Sequence, residues 1–493
     1  MKSTGLNAAD RAIGGAEIKP FERFCYALGD FFGGGAGGMI TAVYVVYLAI
    51  NGLNPGLAAS IVMVAKIWDA ISDPLMGVIS DNARTKWGRR RPFIFAGGLL
   101  ITFSLALLFI PLYTVQFTPF KYVVYLLAYL VFSTVSTVIG VPYSSLLTEM
   151  TADPAERNKM NTVRMVVSML SGAISAGVPI ILVEILQKGG MKVGAFSLMM
   201  IFGFGLLYGV PLVMTAVFTK ERLPVPEEKN KFSIKEFVRP LKLKAFLLLV
   251  IMYFTAFTCM DLITANIIYM ATYGLNVQKF SSFIILVVIM VAYAATIPLH
   301  NKLMKTRSKA FLFRVGIPLY IVGIVSLCLY PKGFSDYLIL PIAVLIGLGM
   351  SGCQLMPWYI FPDVVDLGEL KFNKRNAGAF SGVMTFIRKS TSAVAIGLSG
   401  WVLELVKFKP PETDQLTGYV TRFDQTEGAV WGLRLVIMIP VIVMTAAAFI
   451  AATKLKISPE RSTLVGRFLA SRDKEGFSAA ELDEIERIKK DCF

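Results

Sequence analysis

Apolar stretches of twenty or more residues recur along the whole of this 493-residue chain. Each is long enough to cross the hydrocarbon core of a bilayer. Repeated spans of that length are helical, because a strand-built barrel would show short alternating segments. Twelve spans can be drawn, at 22–50, 56–82, 92–114, 120–149, 160–187, 194–219, 245–273, 278–300, 310–330, 336–364, 375–406 and 427–453. Hydrophobic residues make up 55% of the chain and charged residues 17%, too little charge to cover a soluble protein of this size. The expected class is an all-α membrane protein with twelve transmembrane helices.

The net charge of +16 would suit a nucleic-acid binder, but its placement does not. Arg84, Lys86, Arg89, Arg90 and Arg91 fill one connecting loop, Lys220 to Lys244 bracket another, and Lys302, Lys305, Arg307, Lys309 and Arg314 fill a third. The loops on the opposite side hold few basic residues, such as Lys121, Lys188, Lys192, Lys279 and Lys332. This asymmetry orients a chain against the cytoplasmic leaflet and puts both termini in the cytoplasm, with the lipid bilayer as partner and no nucleic acid. The start of the chain lacks the pattern of a cleaved signal peptide, so the first span is expected to insert uncleaved. The five cysteines show no pairing pattern.

The long charged loop divides the spans six and six. The expected organisation is a cytoplasmic segment at 1–20, a six-helix bundle at 21–219, a linker at 220–244 with a short interfacial helix at 232–239, a second bundle at 245–454, and a cytoplasmic tail at 455–493 in which FSAAELDEIERIKK forms a surface helix. Two six-helix halves around a central path are a common plan among secondary transporters.

The densest chemistry lies in the second span, Lys66-Ile-Trp-Asp69-Ala-Ile-Ser72-Asp73-Pro74. Asp69 and Asp73 are four residues apart and share a helix face. Two carboxylates on one face inside a membrane repel, and a proton or a bound cation relieves them. Lys66 lies on the same side and can offset one charge, Ser72 adds a hydroxyl, and Pro74 frees the carbonyl of Ala70. The plainer alternative is a structural Lys–Asp pair.

Further along come Gly77-Val-Ile-Ser-Asp81 and a basic Gly88-Arg-Arg-Arg-Pro92 turn. This spacing resembles the loop between the second and third helices of major-facilitator transporters, where Asp81 could latch onto Arg89 and Arg90. With WDAISDPLMG, Val141-Pro142-Tyr143, Glu156-Arg157, Arg164, Asp363-Val-Val-Asp366-x-Gly368-Glu369 and Lys389, residues 21–454 resemble the glycoside–pentoside–hexuronide:cation symporters, the melibiose-permease-like branch of the major facilitator superfamily. The resemblance implies a major-facilitator fold of two six-helix halves. It also implies a Na⁺, Li⁺ or H⁺ site at Asp69, Asp73 and Thr137, with Ser72 where the family has Asn. Lys389 then lies near both the cation and the substrate, and Arg164 lines the sugar path. If sodium is the coupling ion, Asp69 and Asp73 are its metal ligands.

The chain departs from the family where sugar hydroxyls are held. The two aspartates of the melibiose-type members fall at Gly34 and Gly140, and glycine at both is expected to widen the cavity. The substrate is therefore a sugar or glycoside, or alternatively a bulkier, lysolipid-like solute, since vertebrate lysolipid transporters in the family's wider circle keep the acid pair. Asp261 is expected to contact substrate, to pair with Lys389 or to be bonded locally. Arg388 is expected to point to a different face from Lys389, and Asp30 to serve a gate or packing. Asp363 and Asp366 suit a cytoplasmic gate, and His300 is a weak candidate relay.

An enzyme is disfavoured by a single histidine, by the lack of a His/Cys cluster, and by a GGGAGG run that lies inside a membrane helix. No Walker-type loop is present, so no cofactor is expected beyond a coupling ion, Na⁺ or H⁺. The expectation is a monomeric, cation-coupled symporter working by alternating access in a cell membrane, the bacterial inner membrane, with an uncoupled facilitator as the alternative.

Overall fold

A computed structural model describes residues 18–151, 154–222, 234–304, 306–373, 377–471 and 477–493. Most of the expected N-terminal segment, the linker stretch 223–233, Lys305, Lys374 and Arg375 lie outside the described residues.

The long helices are α1 Pro20–Ile50, α2 Pro55–Asn82, α3 Arg91–Leu108, α4 Thr118–Met150, α5 Pro154–Gln187, α6 Val193–Phe218, α7 Lys244–Leu275, α8 Ser282–Leu303, α9 Lys309–Cys328, α10 Asp336–Phe372, α11 Ala377–Leu405 and α12 Glu427–Lys454. Among the described residues, eleven of these are long and apolar enough to cross a membrane. The remaining one is α11, whose run Arg388-Lys-Ser-Thr-Ser392 lowers its hydropathy although it spans 29 residues. Large apolar side chains such as Leu99, Phe103, Met169 and Phe202 stand more than half exposed on these helices. Lipid solvates such faces and water does not. The chain is a multi-pass membrane protein.

Several ends differ from the sequence expectation. The third span stops at Leu108, ahead of Pro111, and not at 114. The tenth runs past Pro357 and Pro362 to Phe372 and ends on Asn373 in the left-handed region (φ 52°). Lys121 is not an outer-loop charge. It is buried in the first turn of α4, where its amine donates to the carbonyls of Asn51 (2.9 Å) and Gly52 (3.4 Å) past the C-terminus of α1. That is where a helix dipole favours a cation. A single turn of helix at Ile234–Val238 and a 3₁₀ turn at Arg239–Lys242 stand near the expected interfacial helix.

The helices fall into two compact units. In the first, α1 packs along α5, α2 along α4, and α3 between α4 and α6. Its core is aromatic: Tyr44, Tyr47, Tyr125 and Tyr129 are almost wholly buried beside Phe109 and Phe196. In the second, α7 packs against α11 and α12, and α10 against α8 and α9. The first helix of each unit is well enclosed, with 72% of an 18-residue apolar stretch of α1 and 61% of one of α7 buried.

Residues 409–424, between α11 and α12 in sequence, belong to the first unit. There β1 Glu412–Thr413 and β2 Val420–Thr421 pair antiparallel, Glu412 opposite Thr421. The hairpin is tied down by Thr413 Oγ1 donating to the Ile50 carbonyl (2.7 Å) and by Val193 N donating to the Gly418 carbonyl (3.0 Å).

The tail forms α13 Pro459–Ser471, which was not expected, and α14 Ala479–Cys492, which was. Ser478 and Glu481 close a capping box at the start of α14, satisfying two otherwise unpaired backbone amides. Arg461 holds the two helices together through Glu484 (2.8 Å) and Asp491 (3.1 Å).

Candidate functional site

The face of α2 that carries Asp69 and Asp73 meets a face of α4 with hydroxyls at the same spacing. Ser133 donates to Asp69 Oδ1, and Thr137 donates to Asp73 Oδ1 at 2.9 Å. The hydroxyls of Ser72 and Thr137 are 3.0 Å apart, and Ser72 also reaches the Asp69 carbonyl at 3.3 Å. Two helices thus set an i, i+4 pair of acids against an i, i+4 pair of hydroxyls. Trp68 Nε1, donating to Thr134 at 3.0 Å, ties the same helices together. Lys66 Nζ lies 4.0 Å from Asp69 Oδ2, beyond hydrogen-bonding distance. Asp69 is buried and Asp73 half-buried. This cluster offers anionic and neutral oxygens within one turn of helix, the donor set that suits a hard cation or a shared proton.

Ser133 was not singled out from the sequence. The signal that would have found it is its four-residue spacing from Thr137, matching that of Asp69 and Asp73.

Arg164 of α5 points to α1. Its Nε lies 3.4 Å from Asp30 Oδ2, its Nη1 is 3.5 Å from the Tyr26 hydroxyl, and its guanidinium sits 5.6 Å from the Tyr143 ring centre. Tyr26 and Tyr143 stack at 5.3 Å. Asp30 therefore neutralises Arg164 directly.

The two glycines taken as equivalent openings are not equivalent. A Cβ at Gly34 would stand 2.3 Å from Ser168 Oγ and 2.7–2.8 Å from Ser168 backbone atoms. Gly34 therefore does not widen a cavity; it lets α1 and α5 approach backbone to backbone. A Cβ on Gly140 would meet nothing within 4 Å, and the same holds for Gly37 and Gly38. The open space lies along α4 at Gly140 and along α1 at Gly37 and Gly38.

At the other end of α2, Arg90 is surrounded by acceptors. It pairs with Asp81 and reaches Glu149 Oε1 at 2.7 Å and Ser80 Oγ at 2.5 Å. Arg89 joins through Glu149 (2.8 Å). The carboxylate of Glu221 accepts from the backbone amides of Arg89, Arg90 and Arg91 at 2.8–3.1 Å, filling the unpaired donors at the start of α3. Neither glutamate was marked from sequence, since their roles depend on the ends of α4 and α6 reaching this loop. All these partners lie in the first unit, so the cluster braces α2, α3 and α4 within it.

In the second unit Asp261 of α7 is buried and takes Arg388 as its partner. Its two oxygens accept from Arg388 Nη1 (2.7 Å) and Nη2 (3.1 Å), and Oδ2 also accepts from Thr391 (3.1 Å). The ion pair of Asp261 is with Arg388 of another helix, a partner that none of the three expectations named. Lys389 follows Arg388 on α11 and is half-buried. Asp363 pairs with Lys309 at 2.6 Å, across α9 and α10, and Asp366 lines a small cleft beside Lys456 and Arg461 of the tail. His300 Nδ1 is satisfied by the Thr296 carbonyl one turn away (2.9 Å).

A family model described as MFS/sugar transport protein matches residues 25–458. A putative glycoside/cation symporter of Escherichia coli, YagG, is 24% identical over 86% of this chain and 88% of its own. Sodium-dependent lysophosphatidylcholine symporter 1-B of Danio rerio is 26% identical over 81% of this chain and 80% of its own. Among solved structures, the nucleoside transporter NupG superposes with a TM-score of 0.59 over 89% of this chain and all of that one, at 12% identity, a likeness of fold alone.

Proposed function

Because the chain belongs to the MFS/sugar transport protein family, we propose that it is a secondary active transporter that moves a sugar or glycoside by alternating access, in symport with Na⁺ or H⁺. The observation that carries the coupling is the α2–α4 cluster, where Asp69 and Asp73 are bonded by Ser133 and Thr137. These hydroxyls orient the acids and bring no charge of their own, and between Lys66 and Asp73 one lysine stands against two carboxylates. A cation or proton completes the site and removes the cost of holding two negative charges in a membrane. Asp69, Asp73, Ser72 and Thr137 are the proposed ligands, with Ser133 as an orienting group. Relatives named as glycoside/cation and sodium-dependent symporters support coupling to a cation.

Lys389 and Arg164 are proposed to face the substrate path, since cations this deep in membrane helices belong beside water or a partner. The clusters of Asp81, Arg89 and Arg90 and of Asp363 and Asp366 are proposed to stabilise one conformation of the cytoplasmic side. The termini are proposed to be cytoplasmic and the bundles to divide at the linker 220–244.

Uptake of radiolabelled methyl β-D-galactoside and methyl β-D-xyloside into proteoliposomes, with and without imposed Na⁺ or H⁺ gradients, tests the reading. Gradient-stimulated uptake that is lost in Asp73→Asn is the expected result, and gradient-independent flux would overturn the coupling. A lysolipid substrate is the second reading, favoured by the open space at Gly140, Gly37 and Gly38 and by the lysophosphatidylcholine relative.

A further inference from the structure

Three helices of the second unit present side chains to a common region: Tyr253, Phe257 and Asp261 from α7, Trp358 from α10 and Arg388 from α11. The Arg388 guanidinium lies 4.9 Å from the Phe257 ring centre, Phe257 packs on Tyr253 at 4.5 Å, and Tyr253 meets Trp358 edge-on at 5.4 Å. Asp261 is almost wholly buried, whereas the Arg388 side chain is 34% exposed. An exposed arginine in the middle of a membrane helix faces water or a ligand and not lipid.

We propose that Arg388, oriented by Asp261 and walled by Phe257 and Tyr253, reads the hydroxyls of a neutral glycoside at a subsite inside the second unit. The inference rests on the sugar-symport reading and narrows its substrate class. Arg388 spends Nη1 on Asp261 and Thr391 and one Nη2 hydrogen on Asp261. Nε–H and the second Nη2 hydrogen remain for a ligand oxygen, a fork that matches two adjacent hydroxyls. The aromatic wall suits the apolar face of a sugar ring.

Charge decides between neutral and anionic ligands. A carboxylate or phosphate on the same fork would make one guanidinium share its single charge between two anions, leaving a net negative cluster inside the membrane. A hydroxyl accepts from the remaining hydrogens and leaves the pair whole. Arg164 in the first unit also faces an acid, its Nε 3.4 Å from Asp30 Oδ2. The platform also supplies a polar handle in a chain whose Gly34 and Gly140 supply none.

The test is isothermal titration of the purified protein in nanodiscs with methyl β-D-galactoside, methyl β-D-xyloside, methyl β-D-glucuronide and lysophosphatidylcholine. A neutral glycoside should bind, Arg388→Lys should weaken it at least tenfold, and Phe257→Leu about threefold. Asp261→Asn frees the positive charge of Arg388 and should shift the glucuronide-to-galactoside affinity ratio at least tenfold toward the glucuronide, which a merely structural acid would not do. Binding of only the glucuronide or the lysolipid, no binding by either neutral glycoside, full affinity in Arg388→Lys, or an unchanged ratio in Asp261→Asn would each overturn the proposal. Repeating the titrations in Na⁺, in choline and across pH separates the two readings. Arg388-dependent glycoside binding without any cation effect defeats the coupling alone, whereas cation-enhanced binding indifferent to Arg388 defeats this subsite alone.

Discussion

The acid pair of the first unit and the acid of the second unit are answered by different chemistry. Asp69 and Asp73 meet hydroxyls on α4, which donate hydrogen bonds and bring no charge. Asp261 meets a guanidinium, which brings both. On the proposed reading, the first arrangement offers an ion oxygens that it can bind and release. The second supplies the positive charge itself and leaves spare donors for an uncharged ligand. On the proposed reading, the partner facing an intramembrane carboxylate decides whether it couples an ion or orients a recognition group.

The comparison breaks if the two acids respond alike to loss of a partner. The largest effect is expected for Arg388→Met, which strands Asp261 in the interior and should cost about 3–5 kcal/mol, read as a drop in unfolding temperature of the purified protein. Gly34→Ala comes next, because its Cβ collides with the backbone of Ser168. Separating α1 from α5 should cost about 1–3 kcal/mol, against less than about 0.5 kcal/mol for Gly140→Ala. Asp73→Asn should leave the unfolding temperature within a few degrees of wild type while cation-stimulated uptake falls at least tenfold, about 1.4 kcal/mol of coupling. A large loss of stability there would make the first pair structural, like the second. The smallest effect is expected for Thr413→Val, which removes one hydrogen bond to Ile50 and should lower stability by about 0.5–1.5 kcal/mol. It sharpens the comparison by showing that damage to the first unit away from the acid pair leaves the cation dependence intact.

Much of the proposed coupling site was legible in the chain because both partners obey helical spacing. Asp69 and Asp73 are a turn apart in one long apolar run, and Ser133 and Thr137 are a turn apart in another. Periodicity places each pair on one face, though which faces meet comes from packing. Arg388 was harder to read. Its partner lies 127 positions away on another helix, and on α11 it is the immediate neighbour of Lys389, so nothing local says which of the two turns toward Asp261. The glycines were harder still. Gly34 and Gly140 are the same letter at matched positions, and only the approach of α5 to α1 makes one a close contact and the other an opening.

The sequence by itself determined the membrane class, the helix count and the intramembrane acids, because each follows from hydrophobic length and from the cost of charge in lipid. Tertiary structure alone decided the pairing of Asp261 with Arg388, the Glu149 and Glu221 brace, the hairpin at 412–421 that joins the first unit, and the opposite roles of Gly34 and Gly140. Those depend on which faces of distant helices come within a few ångströms, a distance that neither composition nor periodicity encodes.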